Sequence, residues 1–409
     1  MKRNLIKTSY TFWDNFQTCP KKCEIRHIRG IYPLEKERKL WLGGLVHIGL
    51  ETWFDSGNME LVVNRINAER SKAFTTYQNF DFLFDINEVI NQAIGILHAY
   101  VQQYPQEIFT IELVETVFEH PIINPKTGAK SKTFYLLGKI DGVVKNPDGT
   151  LWVLEHKTAS DITANYLERL WGDYQLKIYV HLLQQLGFPV VGSIYDIVKK
   201  PTIRQKREQP EETEAEFKIR YDEACSKNKS GKTNIKRELG KPAESDESYI
   251  DRIIEWYAQS SPDNLTFHRE EIFFTEKDKE EISNFLWFAT QNFLFCQRAG
   301  YFPRNTANCM NKYNSLCEYH KLCSSDENPN ILNSFYTTRE QREEIRRNSN
   351  AEVPPVPHIP TVIPEIHPPV MTTIPNTPQS TSEQFLLNFF DVDISPTTQK
   401  ISEIPGLKL

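Results

Sequence analysis

No run of about 18 apolar residues, the length a helix needs to cross a bilayer, occurs anywhere in the chain, so neither a membrane span nor a membrane partner is expected. The opening Met-Lys-Arg-Asn-Leu-Ile-Lys is not followed by the apolar stretch and small-residue cleavage site of a secretory signal. The expected compartment is therefore the cytoplasm, of a bacterium or of a phage-infected host. A surplus of basic residues is missing too: 48 Lys and Arg face 54 Asp and Glu, for a net charge of −6. The acidic excess sits at one end. From Ser324 onward there are 11 acidic and 6 basic residues, leaving 43 and 42 in residues 1–323. A nearly neutral body excludes nucleic-acid binding by overall charge, but leaves room for an acidic metal site beside a local basic path.

Further absences narrow the chemistry. There is no Gly-rich phosphate loop closed by Lys-Ser/Thr, so the chain carries no helicase motor. No Cys–His–Asn signature accompanies the seven cysteines, which removes thiol catalysis. Disulfides are disfavoured in a reducing compartment. Ordinary structural zinc sites favour two short Cys-x₂₋₄-Cys knuckles, which the x₇ and x₅ spacings of Cys309, Cys317 and Cys323 lack, and no internal repeat is present.

What is present reads as one α/β domain. A hydrophobic content of 39% with 24 Phe supplies a core. Residues 9–19 place Tyr10, Trp13 and Phe16 at helical spacing before the break at Pro20. A second helix covers 41–55, with Trp41, Leu45, Ile48 and Trp53 around His47, and a long helical region runs from about Asn87 to Tyr104. The period then changes: 109–123, 133–145 and 150–157 read as strands, the last two joined by the turn Asn146-Pro147-Asp148-Gly149. A helix over 163–186 and a strand over 190–199 follow. Residues 204–247, dense in charge, suggest an exposed helical insertion. Core-like sequence returns at 250–256, 267–275 and 282–298, and a cysteine-rich segment at 301–323 closes the fold. The expected architecture is a mixed central sheet flanked by helices over residues 1–330, then a Pro-rich, disordered tail over 331–409. Nine prolines fall within 351–380, and the apolar patch Phe385–Phe390 suggests a docking segment for a partner.

The chemistry concentrates in Gly138-Lys139-Ile140-Asp141-Gly142 and Glu155-His156-Lys157. Residues two apart on a strand share a face, so Glu155 and Lys157 are neighbours. Folding the hairpin about Pro147 and Asp148 brings Asp141 roughly opposite Glu155. Two carboxylates can hold Mg²⁺ or Mn²⁺ through oxygen, and a lysine beside them can position a water and offset charge in the transition state. Phosphodiester hydrolysis needs that set. A surface hairpin carrying an ion-pair cluster would read similarly, but the strand before Glu155 is wholly apolar. The basic segments Lys199-Lys200 and Arg204–Arg207 offer a path for a nucleic-acid backbone.

Ile140-Asp141…Glu155-His156-Lys157 resembles the core motif of the PD-(D/E)XK nucleases, with Ile140 in place of the nominal proline. It is similar to the branch containing the nuclease domains of RecB and AddB and the CRISPR-associated RecB-like exonucleases. His47, in Gly43-Gly44-Leu45-Val46-His47, matches that branch's upstream helical histidine. Gln175 and Tyr179 match its Gln-x₃-Tyr motif. The resemblance implies a restriction-endonuclease-like core and a Mg²⁺- or Mn²⁺-dependent DNA exonuclease. Asp141, Glu155 and Lys157 would be catalytic, His47, Asp141 and Glu155 would be metal ligands, and Gln175 and Tyr179 would position single-stranded or end-containing DNA.

Cys309-x₇-Cys317-x₅-Cys323, with the distant Cys19, offers four thiolates that suit zinc or a cubane iron–sulfur cluster. They resemble the 4Fe–4S staple of AddB and the CRISPR-associated exonucleases, which ties the two ends of the nuclease fold together. Cys23 competes with Cys19 for that role. Two other roles stay open: a non-cleaving DNA-binding subunit on a nuclease scaffold, and an accessory nuclease of CRISPR spacer adaptation. A helicase, replication or recombination partner would reach the chain through its tail.

Overall fold

The computed structural model describes residues 5–341 except 35–37, 77–79, 210, 229–231, 262–263 and 311–314. The expected Pro-rich segment and the patch at 385–390 lie outside the described residues. Strand β1 (Ile6–Thr8) leads into helix α1 (Tyr10–Thr18), capped by Ser9, whose hydroxyl accepts from Phe12 N–H. Cys19 stops α1 in extended backbone, and α2 (Pro20–Cys23) restarts at proline. Beyond β2 (Ile31–Pro33) come α3 (Arg38–Ser56), α4 (Met59–Thr76) and α5 (Phe80–Gln103). The sequence reading leaves out α4. Among its described side chains the buried stripe is Val62, Ile66 and Ala73, set among charged residues, too narrow a signal to stand out alone.

Three long strands follow, β3 (Thr110–Ile123), β4 (Lys130–Lys145) and β5 (Leu151–Ala159). The turn between the last two is as expected. Asn146 carbonyl accepts from Gly149 N–H, and Gly149 sits at φ 89°, where glycine pays no steric cost. The single helix expected over 163–186 is broken into α6 (Ala164–Leu170) and α7 (Tyr174–Gln185). Asp173 causes the break by capping α7, accepting from Gln175 N–H at 2.7 Å. Strand β6 (Val190–Lys199) spans the predicted residues. Among the described residues of the charged region 204–247, α8 (Glu214–Lys227) is helical and buries no residue, and the next helix begins at Asp246. Helix α9 (Asp246–Ala258), β7 (Phe267–Phe273) and α10 (Glu276–Ala299) complete the core, and α11 (His320–Ser324), α12 (Pro329–Phe335) and β8 (Tyr336–Thr338) follow. Because β8 pairs antiparallel with β2, the fold continues past the boundary expected at residue 330.

The main sheet is mixed. It runs β1-β4-β5-β6-β7, with β3 along the other edge of β4. Strand β1 takes β4 at Phe134–Leu136 and β5 takes it at Gly142–Lys145, so among the described residues Leu137–Asp141 has no strand partner on that edge. This fork is where Asp141 sits. One face of the sheet is covered by α1, α7 and α10, the other by α3, α5 and α9, each with its own apolar cluster. Burial on both faces explains the nearly unbroken apolar run before Glu155.

Candidate active site

Strand β4 changes face at the fork. Phe134, Leu136 and Ile140 pack in the cluster beneath α7, and so does Val143, one residue out of step. Opposite this break, Glu115 on β3 adopts φ 45°, in the left-handed region a glutamate rarely occupies, and the β3–β4 register slips between Ile111 and Leu113. Such irregularities re-aim side chains. Here the Asp141 carboxylate reaches across the fork, and its Oδ2 accepts from the backbone N–H of His156 at 2.8 Å. The same oxygen lies 3.1 Å from His47 Nδ1. Helix α3 brings His47 down because Gly43 lets it approach β5; a Cβ there would lie 3.3 Å from Thr158 Oγ1.

Glu155 and Lys157 share a face, as strand alternation requires, and meet α7. Lys157 Nζ donates to Glu155 Oε1 and to Gln175 Oε1, both at 2.7 Å. Gln175 Nε2 donates to Glu155 Oε1 at 2.8 Å and contacts the Tyr179 hydroxyl at 3.2 Å. Gly138 makes room for this helix, since a Cβ would meet Leu182 Cδ2 at 2.9 Å and Tyr179 at 3.2 Å. Glu155 Oε2, by contrast, is buried and accepts no hydrogen bond among the described residues. Burial and then the neighbouring Asp141 push the Glu155 carboxyl up to about 7, against the pull of Lys157. Burial would also raise Asp141, yet His47 and the His156 N–H hold it well below the usual carboxylate range. Lys157 is held protonated: burial opposes its charge, but the Glu155 and Asp173 carboxylates outweigh that.

All five residues expected around the hairpin and α7, together with His47, therefore lie in one region. The tightest donor set differs from the expected one. Ligand atoms of His47, Glu115 and Asp141 lie within 4.8 Å of one another, and Glu155 is not in that trio. Sequence reasoning missed Glu115 because nothing local marks it; it faces Asp141 only through the pairings Val114↔Gly142 and Thr116↔Ile140. It also missed what lies behind His156. That imidazole points to the opposite face and stacks on Phe54, ring centroids 5.3 Å apart. Its Nδ1 is 3.0 Å from Asp196 Oδ2. Asp196 in turn accepts from Tyr100 and Arg269, and Arg269 clamps Glu107 at 2.6 and 2.9 Å. A buried aspartate so completely satisfied anchors β5 where its backbone holds Asp141.

Three of the basic residues expected to follow a nucleic acid pair with protein carboxylates. Lys199 meets Asp161 at 2.6 Å, Arg204 meets Glu88 at 3.6 Å and Arg207 meets Asp85 at 3.2 Å.

The end of α1 meets the segment 305–308 beside the cysteines. Cys19 Sγ accepts from Asn305 N–H at 3.4 Å, and the Asn305 and Asn308 amides donate to Thr18 carbonyl at 3.1 and 2.8 Å. Cys309 carbonyl accepts from Cys317 N–H at 2.8 Å. Burial raises the Cys317 and Cys323 thiols, and each also feels Cys19. All four are free thiols, but no three of them bring their sulfurs within 4.8 Å of one another among the described residues. Cys23, the rival of Cys19, is instead buried in the core with its thiol 3.7 Å from Phe12 carbonyl. Among the described residues no helix is long and apolar enough to cross a membrane. No protein-family model matches the chain, and no curated protein sequence matches it either.

Proposed function

We propose that this chain is a metal-dependent deoxyribonuclease of the PD-(D/E)XK kind, acting as an exonuclease on DNA with a free end. The observation that carries the reading is the bare Glu155 Oε2, buried beside Asp141 while Oε1 takes both Lys157 and Gln175. An ion-pair cluster built only for stability would satisfy both oxygens, because a buried lone acceptor costs about 1–3 kcal/mol. A donor set dominated by carboxylates suits Mg²⁺ or Mn²⁺, with the single imidazole as a supplementary ligand. His47, Glu115, Asp141 and Glu155 are the residues that would hold it. When bound, such an ion polarises a phosphate and acidifies a water.

The remaining work falls to the chain itself. Lys157 would direct a water toward the phosphorus and offset the charge gathering on the phosphate. Gln175 grips both Glu155 and Lys157, so it would keep the two in one orientation through the reaction. Asp141 needs no proton at neutral pH, because its low pKa keeps it an oxygen ligand. Tyr179 and Gln175 would line the strand path on the α7 side.

A 4Fe–4S cluster on Cys19, Cys309, Cys317 and Cys323 belongs to the same proposal. Cys317 and Cys323 both feel Cys19, and Lys22, Lys21 and Arg304 lie near enough to offset thiolate charge. It would hold together the two segments that already meet at Asn305 and Thr18, without entering hydrolysis. The test is digestion of end-labelled linear DNA and of closed circular DNA by anaerobically purified protein with Mg²⁺ or Mn²⁺. Shortening of the linear substrate alone supports an exonuclease. Binding without any cleavage supports a non-cleaving DNA-binding subunit instead.

A further inference from the structure

Lys139 lies two residues before Asp141 on β4, and its ammonium forms an ion pair with Glu115, the third member of the donor trio. Both side chains are nearly buried, 15% and 9% exposed. Two carboxylates this close in a low-dielectric pocket cannot both stay ionised without a cation. Lysine is the side chain suited to act as a replaceable one: a compact charge on a flexible stem, without the fixed fork of arginine. A second resting place is at hand. Glu51, one turn beyond His47 on α3, feels the charges of Lys139 and Arg65.

We propose that Lys139 is the resident counter-ion of this site, holding Glu115 when no metal is present and competing with a divalent cation for that carboxylate. Metal entry moves the ammonium off Glu115 toward Glu51, and Glu115 joins His47 and Asp141 as a ligand. The left-handed backbone at Glu115 fits this role, since strain is retained where a side chain must be delivered to one place. This inference rests on the divalent-cation site proposed above and adds the chain's own competitor to it.

The test is Mn²⁺ titration of the full chain, without DNA, read by the loss of the free-ion paramagnetic resonance signal and by thermal melting. Lys139→Met should bind Mn²⁺ about tenfold more tightly than the wild type or better, the lower end of what one opposite charge does to a carboxylate at this range. Its melting temperature should fall without metal, where Glu115 is left buried and unpaired, and rise with Mn²⁺ by more than the wild type's does. Lys139→Met/Glu115→Gln should lose that gain in affinity. Should Lys139→Met not fold, Lys139→Arg serves, because a bidentate clamp on Glu115 should weaken Mn²⁺ binding. Wild-type protein that binds Mn²⁺ with an affinity unchanged in Lys139→Met or Lys139→Arg overturns the competition and leaves the metal site standing. A gain that survives Glu115→Gln overturns it as well. Wild-type protein that binds no Mn²⁺ overturns the site and the competition together.

Discussion

Replacing Glu155 with glutamine separates the needs of the fold from those of the site. In the folded protein the carboxyl titrates near 7 rather than at its ordinary 4.5, so the native state holds a proton the unfolded chain would release. The ionised form is therefore destabilising. The penalty is absent below about pH 4.5, grows as pH rises, and is complete above about pH 7, where it reaches roughly 3 kcal/mol at 1.36 kcal/mol per pKa unit. Glutamine keeps the Oε1 acceptor for Lys157 and Gln175 and removes the charge. It also leaves an unpaired amide at the Oε2 position and takes the anion from Lys157, which returns about 1–2 kcal/mol. Without metal, Glu155→Gln should be about 1–2 kcal/mol more stable than the wild type at pH 8 and no more stable at pH 5. The difference between the two proteins should thus change by roughly 2–3 kcal/mol across that range. Urea unfolding midpoints in a chelating buffer at both pH values measure it, and the variant should have no nuclease activity. A wild type that is the more stable protein at pH 8, with no pH dependence in the difference, would refute the reasoning. Glu155 would then be a structural partner of Lys157.

Lys157→Ala should abolish cleavage, with DNA retention in a gel-shift assay little changed; activity that falls only in proportion to folded protein would mark a structural lysine. Gly138→Ala forces a methyl to 2.9 Å from Leu182 and 3.2 Å from Tyr179, so it should cost about 1–3 kcal/mol in urea unfolding and lower kcat by displacing Gln175. Cys317→Ala should bleach the broad visible absorbance expected of an iron–sulfur protein and lower the melting temperature, because cluster binding is also folding energy. Ending the chain at residue 341 should leave the melting temperature and nuclease rate nearly unchanged, checked by calorimetry and end-labelled digestion.

The hairpin of β4 and β5, the shared face of Glu155 and Lys157, and the shared face of Gln175 and Tyr179 were all legible in the sequence. Each follows from local chain geometry, the two-residue strand repeat or the i, i+4 step of a helix with 3.6 residues per turn, which no distant contact can alter. Even the neighbourhood of Asp141 and Glu155 was readable, because Pro147 and Gly149 set one tight turn between them. The break between α6 and α7 left only the weak trace of Gly172-Asp173. Glu115 left none. It becomes a donor because β3 pairs with β4 in one register and slips at Ile111, because its own backbone turns left-handed, and because Lys139 lies beside it. Asp196 likewise matters only once β6 lies parallel to β5 and sets it against His156. Local periodicity decides which way a side chain points from its own element. Which side chains it then meets depends on the pairing of segments tens of residues apart, and for His47, Glu115 and Asp141 only the tertiary structure brought them together.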